Sequence, residues 1–325
     1  MSNNTYDYVI QTKKLSKIYD TGFRGEQVHA LKNLDLDVFP SEIFGYLGPN
    51  GSGKTTTIKL LLELIFPTSG QIKIMGRTDI SSAYVKRNIG YLPEGSYYPD
   101  FLKGEEMLKF YGQLYGLTGK ELYKRIDEVL ELVGMAHARK RMLKGYSKGM
   151  RQRIGLAQAL ISDPQILILD EPTTGLDPIA RKEIRDILSR LRDEGKTLFI
   201  SSHELLEVEM ISNRVGIIYE GNLLVSGTLD ELLTSKDRII EFANATDREA
   251  QEIKDKGVEI VDQIKDKVYL KARDDQELFV AIEIGKSVGL HLVSITPKRE
   301  ALEELFIRVI SSAKIKRSKK DEDAA

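Results

Sequence analysis

The segment Gly48-Pro-Asn-Gly-Ser-Gly53-Lys54-Thr55 combines residue types that can bind a phosphate chain. It matches the pattern G-x-x-x-x-G-K-[ST] and lies between a predicted strand and a predicted helix. Glycines allow successive backbone N–H groups to converge on phosphate oxygens, and the following helix presents its positive N-terminal end. Lys54 can reach the β- and γ-phosphates, and the Thr55 hydroxyl can ligate Mg²⁺. We therefore predict a nucleotide site made of Gly48, Pro49, Asn50, Gly51, Ser52, Gly53, Lys54, Thr55 and Thr56.

A pair of adjacent acids, Asp170 and Glu171, follows the apolar run Ile166–Leu169. Neighbouring side chains at the end of a strand point to opposite faces, so the two acids should have different tasks. In isolation such a pair is more often a solvated loop. Beside a phosphate-binding loop we expect Asp170 to hold Mg²⁺ and Glu171 to polarise the water that attacks the γ-phosphate. The sequence has no Asn-Lys-x-Asp guanine reader, which favours ATP over GTP.

Short apolar runs predict the strands that position these groups. Leu34, Leu36 and Val38 alternate with aspartates, as in a half-buried strand. The strands predicted in this part of the chain are Val28–Phe39, Ile43–Leu47, Gln71–Met75, Ile89–Leu92, Ile166–Leu169 and Leu198–Ile200, with a hairpin formed by Arg214–Tyr219 and Leu223–Ser226. Helices are predicted at Thr55–Leu64 and Met150–Leu160, and a capping box starting at Thr228 predicts a further short helix. Gly104–Gly134 has apolar residues at helical spacing, which predicts a helical insertion in an α/β core.

The residues after Ser235 have a different character. Strands, helices and strands alternate there in the order β-α-β-β-α-β, which predicts a small ferredoxin-like module. Its elements are Arg238–Phe242, Asp247–Lys256, Val258–Ile264, Lys267–Ala272, Asp275–Val288 and Leu290–Ser294, followed by a helix at Arg299–Ile310. We predict a domain over residues 1–235, with a helical subdomain at about 95–160, an accessory α+β domain over 236–312 and a charged tail over 313–325.

Composition excludes several classes of protein. The 325 residues are 41% hydrophobic and 30% charged, with a formal net charge of -1 that predicts no nucleic-acid partner. The absence of cysteine excludes disulfides and thiolate metal sites. Residues 1–7 are polar, so we expect no secretory signal, and no apolar run approaches the roughly 20 residues of a spanning helix. If the protein drives transport, the pore belongs to another chain.

Five further features, in the order of one family, make residues 8–233 resemble the ATP-binding-cassette ATPases. Tyr19 stands at the family's adenine-stacking position. The others are the Q-loop position (Gly90–Glu94), the signature segment (Tyr146–Arg153), the D-loop (Gly175–Asp177) and the switch segment (Ser201–His203). The resemblance implies an α/β P-loop core with an antiparallel β subdomain and a helical signature subdomain.

The family's mechanism assigns roles to these positions. Ser147 and Gly149, before a predicted helix, would bind the γ-phosphate of ATP held by the opposite subunit of a head-to-tail pair. His203 would sense the γ-phosphate, Asp177 would couple the two sites across the interface, and Tyr19 would stack on adenine. The resemblance therefore implies ATP and Mg²⁺ as cofactors, Glu171 and His203 as catalytic residues, and Thr55, Asp170 and Glu94 around the metal. Its partners would be a second copy or a paralogous cassette subunit, and an integral membrane subunit at the cytoplasmic face of the membrane.

Three positions depart from the family pattern. Glu94 stands where most relatives have Gln; it keeps an oxygen for Mg²⁺ or water but adds negative charge near the γ-phosphate. Lys148 replaces the first glycine of the signature segment, and it would either add positive charge near phosphate or point to solvent, the latter being favoured. Met150 stands where many relatives have Gln.

Other interpretations differ in their partners. A soluble cassette ATPase acting on nucleic acid or ribosomes is the alternative, but such proteins usually carry two cassettes or a long coiled coil between the motifs. A P-loop kinase leaves the signature segment unexplained. Among transporters the motifs resemble the drug-, lipid- or polysaccharide-exporting branch, with metal or amino-acid importers as the alternative. The accessory module is expected to support the dimer or to regulate it. The basic stretch Lys314–Lys320 would gain about 1 kcal/mol per charge at an anionic lipid surface, although a solvated, disordered tail is the favoured expectation.

Overall fold

The computed structural model describes residues 7–20, 27–95 and 98–323. The chain divides into two compact units: the first holds the residues up to Leu229 and the segment from Val309 onward, and the second is Asp230–Arg308. Within the described ranges, every helix is too short or too polar to span a bilayer.

Nine strands and seven α-helices are described between Asp7 and Thr228, all in the first unit. The strands are β1 (Ile10–Asp20), β2 (Gln27–Val38), β3 (Ile43–Leu47), β4 (Ser69–Ile74), β5 (Ile89–Leu92), β6 (Ile166–Asp170), β7 (Thr197–Ser202), β8 (Arg214–Tyr219) and β9 (Asn222–Thr228). The helices are α1 (Lys54–Leu61), α2 (Ala83–Arg87), α3 (Gly104–Leu114), α4 (Gly119–Leu132), α5 (Lys148–Leu160), α6 (Pro178–Asp193) and α7 (Leu205–Ile211).

The centre of this unit is a six-stranded sheet in the order β5-β6-β7-β3-β8-β9. All its pairings are parallel except that of β8 with β9. Every residue of β3, β6 and β7 is buried, as expected for parallel strands covered on both faces. Alternate residues face two separate apolar cores: Ile43 contributes to one and Phe44 to the other.

The carboxyl ends of three neighbouring strands meet at one edge of this sheet. Leu47 of β3 lies beside Ser202 of β7, and Asp170 of β6 lies beside Ser201 of β7. Ligands of open parallel sheets bind outside this edge, where the loops that follow the strands come together. The topology therefore brings the phosphate loop (Gly48–Thr55), the acid pair and the switch segment to one place.

A three-stranded antiparallel sheet, β2-β1-β4, accompanies the central sheet. The sequence analysis does not predict strand β1. Lys14 adopts a left-handed backbone with φ of 47°, and the pairing of β1 with β2 shifts register between Thr12 and Leu15. A bulge of this kind interrupts the alternation of buried and exposed residues. The sequence of β1 therefore lacks the regular alternation of apolar and polar residues from which a strand is predicted.

The predicted helical insertion is confirmed as α3 and α4, followed by 3-10 turns at Ala136–Ala138 and Leu143–Gly145 and then by α5. Apolar residues of all three α-helices pack in one core with Leu167 and Leu169 of β6. Helix α6 was not anticipated, although Asp177 caps its N-terminus and Pro178 is its first residue. That pair is a good helix-start signal, because proline at the first position loses no helical hydrogen bond.

The second unit has the element order that the sequence predicts. After α8 (Leu229–Leu233) come β10 (Thr234–Ala243), α9 (Asp247–Asp255), β11 (Ile260–Ile264), β12 (Lys267–Ala272), α10 (Asp275–Ser287), β13 (His291–Arg299) and α11 (Leu302–Asp323). The second unit ends at Arg308 within α11, and the rest of that helix is grouped with the first unit. The sheet is antiparallel with strand order β11-β12-β10-β13. Buried residues of β10, β12 and α10 form its own apolar core.

Two expectations about the last elements are wrong. Strand β13 continues to Arg299, which was expected to start a helix, because β13 goes on pairing with β10 as far as Arg299 opposite Thr234. Helix α11 continues to Asp323, through most of the segment expected to be a disordered tail. That segment lacks glycine and proline, so no residue in it stops the helix.

Gly285 of α10 makes a contact that predicts a stability effect. A Cβ atom there would lie 2.7 Å from ring atoms of Phe242, whose side chain is fully buried. We expect Gly285→Ala to lower the free energy of unfolding of the second unit by about 1–3 kcal/mol, since overpacking a core forces it to rearrange. The gain in helix propensity, about 1 kcal/mol, offsets only part of this loss. Denaturant unfolding of the purified protein measures the change.

The matched control is Glu283→Ala, an exposed position on the same helix. It should leave the unfolding midpoint close to that of the wild type. A Gly285→Ala protein as stable as the Glu283→Ala protein would contradict the packing argument.

Candidate functional site

The phosphate loop joins β3 to α1 and depends on two glycines with no room for a side chain. A Cβ on Gly48 would lie 2.9 Å from Ile218 Cγ2, and one on Gly53 would lie 2.6 Å from the carbonyl oxygen of Ala30. Gly53 also has a φ of 112° and forms the N-cap of α1. Only glycine satisfies both conditions there, so the loop backbone can lie close to a ligand at the helix N-terminus.

A cavity of about 460 Å³ opens beside this loop. Its size is that of a small-molecule site. Most of the residues that the sequence predicts for the site lie around it, and they come from four separate segments. The residues around it are Val28, His29, Ala30, Lys32, Pro49, Asn50, Gly51, Ser52, Gly53, Lys54, Thr55, Thr56, Glu94, Asp170, Glu171, His203 and Glu220.

Lys54 is the buried cation of this cavity. Its Nζ donates a hydrogen bond to the carbonyl oxygen of Gly48 at 2.6 Å and lies 3.8 Å from Oε1 of Glu171. Burial lowers the pKa of Lys54, while the charges of Glu171, Asp170 and Glu94 act in the opposite direction. The buried ammonium group is suited to contact a phosphate oxygen, whereas the three carboxylates near it would repel a polyanion unless a cation lies between them.

Asp170 is held in place by the switch segment. Its Oδ1 accepts a hydrogen bond of 2.5 Å from Ser201 Oγ. Burial raises the pKa of the Asp170 carboxyl, the Ser201 hydrogen bond lowers it, and the charges of Glu171 and Glu94 raise it further. A cation bound at this carboxylate would relieve the cost of its burial.

Glu171 has its carboxylate fixed by two loops. Oε2 accepts a hydrogen bond from Thr174 Oγ1 at 2.9 Å, and Oε1 lies 2.9 Å from Nδ1 of His203. Its own N–H donates to the carbonyl oxygen of Ser201 at 3.1 Å. The residue has a φ of 52°, in the left-handed region that non-glycine residues seldom adopt. Strained backbone of this kind is held only where the surroundings fix it.

Glu94 lies at the exposed side of the cavity and acts on its neighbours through charge. The pKa of Tyr91 rises to about 12, chiefly from burial and then from the charges of Asp170 and Glu94. Glu94 thus adds to the negative charge around Lys54, as expected from the acid at this Q-loop position.

The side chains fit a magnesium ion that is shared with a phosphate ligand. Among residues 7–20, 27–95 and 98–323, no cluster of three or more His, Cys, Asp or Glu side chains could hold a metal alone. Mg²⁺ is usually held by one or two carboxylates together with substrate phosphates and water. Asp170, Thr55 and Glu94 supply such a partial set, and the buried Ser52 Oγ has no hydrogen-bond partner in the described part of the chain. These donors suit a nucleotide bound with its metal.

Ser147 and Asp177 lie outside the residues around the cavity, as does Gly149 between them in the chain. Ser147 is exposed and caps α5, its Oγ accepting a hydrogen bond from the N–H of Met150 at 3.2 Å. Asp177 is also exposed and caps α6, its Oδ1 accepting from the N–H of Ala180 at 2.9 Å. Both helix ends are therefore open to a ligand or surface from outside this cavity.

Lys148 also lies outside the residues around the cavity. It is exposed, as the sequence favoured, and its ammonium group lies against Gly175 of the D-loop. Tyr19 is not among the residues around the cavity; it pairs in register with Val28, which is, and Lys17 Nζ lies 5.1 Å from the centre of its ring. Its adenine-stacking role stays a prediction.

Two hydroxyl groups of the site were missed from the sequence. Ser201 holds Asp170, and Thr174 holds Glu171. The Ser-Ser-His sequence was interpreted through its histidine alone. Since Ser201 precedes the end of a strand that neighbours β6, its contact with Asp170 follows from strand order, which the sequence pattern does not provide.

Comparisons with known proteins agree on one family. The sequence profile described as ABC transporter matches residues 31–174. An uncharacterized ABC transporter ATP-binding protein from Synechocystis sp. is 39% identical, covering 92% of this chain and 84% of its own length. The bacitracin transport ATP-binding protein BcrA of Bacillus licheniformis is 36% identical, covering 94% of this chain and 99% of its own length. The dimeric, post-hydrolysis structure of the cassette MJ0796 with ADP and Pi has a TM-score of 0.61 and 26% identity, covering 67% of this chain and 98% of its own.

Proposed function

The chain belongs to the ABC transporter ATP-binding proteins, an ATPase family that uses ATP with Mg²⁺, and from this premise we propose that it powers export through a separate membrane-spanning subunit. The relative named for bacitracin transport covers almost the full length of both chains, which supports transport of a drug-like or lipid-like compound. We place the protein at the cytoplasmic face of the membrane, bound to its membrane subunit.

One observation carries the proposal: the predicted nucleotide-binding residues are divided between a cavity and a helix end that lies outside it. Lys54, Asp170, Glu171 and His203 surround one cavity, while Ser147 caps a helix outside it. In a head-to-tail pair, each cavity would be completed by the Ser147 and Gly149 of the other copy or of a paralogous subunit. ATP would then hold the two subunits together, and hydrolysis would release them.

Each residue would have a distinct part in the reaction. The backbone N–H groups of the phosphate loop and Lys54 would bind the phosphate chain, and Tyr19 would stack on adenine. Thr55 and Asp170, with Glu94 nearby, would hold Mg²⁺, which would supply positive charge against the phosphates. A carboxylate oxygen of Glu171 would accept the proton of the attacking water, while His203 would contact the γ-phosphate and Asp177 the opposite subunit.

Co-purification with a candidate membrane subunit tests the proposal. We expect the two chains to associate and the compound that is exported to stimulate ATP hydrolysis by the complex. ATP-dependent movement of that compound across vesicles should disappear with Lys54→Ala. Association with ribosomes or nucleic acid, and stimulation by them in place of a membrane subunit, would reject the transport function.

Glu94→Gln tests the metal part of the mechanism. We expect ATP affinity to stay within about threefold of wild type, while the Mg²⁺ concentration for half-maximal ATPase activity rises, because an amide oxygen is a weaker Mg²⁺ ligand than a carboxylate. Titration of ATPase activity with Mg²⁺ at saturating ATP measures this. Glu220→Gln, which removes one negative charge at another side of the same cavity, is the control. Equal Mg²⁺ dependence in both variants would remove Glu94 from the metal site.

A further inference from the structure

Arg181 of α6 contacts both the D-loop and the residue that follows His203. Its Nε donates a hydrogen bond to the carbonyl oxygen of Leu176 at 2.9 Å. Its Nη1 lies 3.0 Å from Oε2 of Glu204, in an ion pair that is not aligned as a hydrogen bond. The side chains of Arg181 and Glu204 are 31% and 18% exposed, so solvent screens the pair only in part. One guanidinium group therefore joins the two loops.

The same two loops also meet through Glu171. Thr174 binds one oxygen of its carboxylate, and His203 lies against the other. These oxygens are the atoms that would receive the proton of the attacking water, so their contacts must change during hydrolysis. The Arg181 contact involves no reacting atom. It can hold the loops in register while the contacts of Glu171 are broken and remade.

We infer that Arg181 is a positioning residue that fixes the distance between the D-loop and the switch segment, and so places Asp177 and His203 together. The inference rests on the proposed function, since both residues act there on the nucleotide or on the opposite subunit. Arginine suits this task because its planar group carries several donors in a rigid fork. A lysine has a single point charge and cannot keep both contacts with the same geometry.

A neighbouring ion pair, Arg185 with Glu207, provides a control that distinguishes this positioning role from the packing of α6 against α7. Arg185 Nη1 lies 2.6 Å from Oε2 of Glu207 and joins the same helices, α6 and α7. That pair is at least as buried, with side chains 17% and 13% exposed, and within the described residues Arg185 makes no hydrogen bond to the D-loop. Arg181 itself lies 3.9 Å from Glu207, so the mutated residue in the control should be Arg185 and not Glu207.

ATPase kinetics of Arg181→Ala, Arg181→Lys and Arg185→Ala test the inference. We expect Arg181→Ala to lower kcat by about tenfold, within the usual range of coupling between sites, while KM for ATP changes by no more than about twofold. Arg181→Lys, which keeps the charge and is the variant more certain to fold, should lie between Arg181→Ala and the wild type. Arg185→Ala should keep kcat and lower the unfolding midpoint as much as Arg181→Ala.

Glu204→Gln tests whether Arg181 acts through its contact with Glu204. It should reproduce the loss of kcat in Arg181→Ala, and the double variant should be no worse than either single one, since residues in one contact do not add. The inference is overturned if Arg181→Ala retains kcat, if Arg185→Ala loses as much, or if the two losses add. A wild-type chain without ATPase activity would instead overturn the proposed function, and this inference with it.

Discussion

Glu171→Gln is expected to reduce ATP turnover by about 10²- to 10⁴-fold, the usual contribution of a general base. The amide keeps the size of the side chain and one acceptor oxygen, so the hydrogen bond from Thr174 can be kept, while the ion pair with Lys54 loses its negative partner. It cannot accept a proton from water. ATP should therefore bind with nearly wild-type affinity and hold the two subunits together without being consumed. Phosphate release measures turnover, and size-exclusion chromatography with Mg·ATP measures the trapped dimer.

Glu42→Gln is the matched control for this variant. Glu42 is also buried, but it lies outside the cavity and binds the N–H of Phe39 at 2.8 Å and Arg214 at 3.3 Å. Burial raises its pKa above the ordinary value, against the pull of Arg214. Since the folded-state pKa is raised, its ionisation opposes folding as the pH rises through that pKa, and the neutral amide should be tolerated. Normal turnover in Glu171→Gln would remove Glu171 from the role of base.

Mixing Lys54→Ala chains with Ser147→Asp chains should restore activity that neither variant has alone. Aspartate caps a helix as well as serine does, so α5 should keep its start, but its charge would repel the γ-phosphate. In a mixed pair, one site receives both defects and the other receives none. With random pairing of equal amounts in a two-fold symmetric dimer, about a quarter of the sites would be intact. ATPase activity against the mixing ratio checks this.

The pattern of recovery distinguishes a shared site from a site within one chain. If each chain carried its own complete site, every chain in the mixture would be defective and activity would stay at the level of the separate variants. Circular dichroism of Ser147→Asp should match that of the wild type, because the cap contact to Met150 can be kept. A paralogous partner would require the two changes to be placed on different gene products.

The groups that we propose to bind phosphate can be predicted because their chemistry depends on local sequence. Glycine spacing, a lysine and a following helix define the phosphate loop within eight positions, and β3 and β5 were predicted to the residue from short, continuous apolar runs. Asp170 and Glu171 followed from the end of such a run. These features need no knowledge of which strands are neighbours.

What could not be predicted depends on contacts between distant segments or on local backbone conformation. The hydrogen bond from Ser201 to Asp170 joins residues 31 positions apart. Arg181 meets Glu204 only because α6 and α7 lie side by side. Strand β1 was missed because its bulge at Lys14 breaks the alternation, and the end of α11 was missed because a charged sequence can be helical or disordered. Tertiary contacts decide the first two cases, and local backbone conformation decides the other two.

The left-handed backbone of Glu171 places thermodynamic stability and catalytic activity in opposition at this position. Glycine, and to a smaller degree asparagine, adopts that φ with less strain, so either residue would relieve about 1 kcal/mol at this position. Neither can act as the base. A laboratory selection for thermal stability alone would therefore tend to replace Glu171. The selected proteins would unfold at a higher temperature but would no longer hydrolyse ATP.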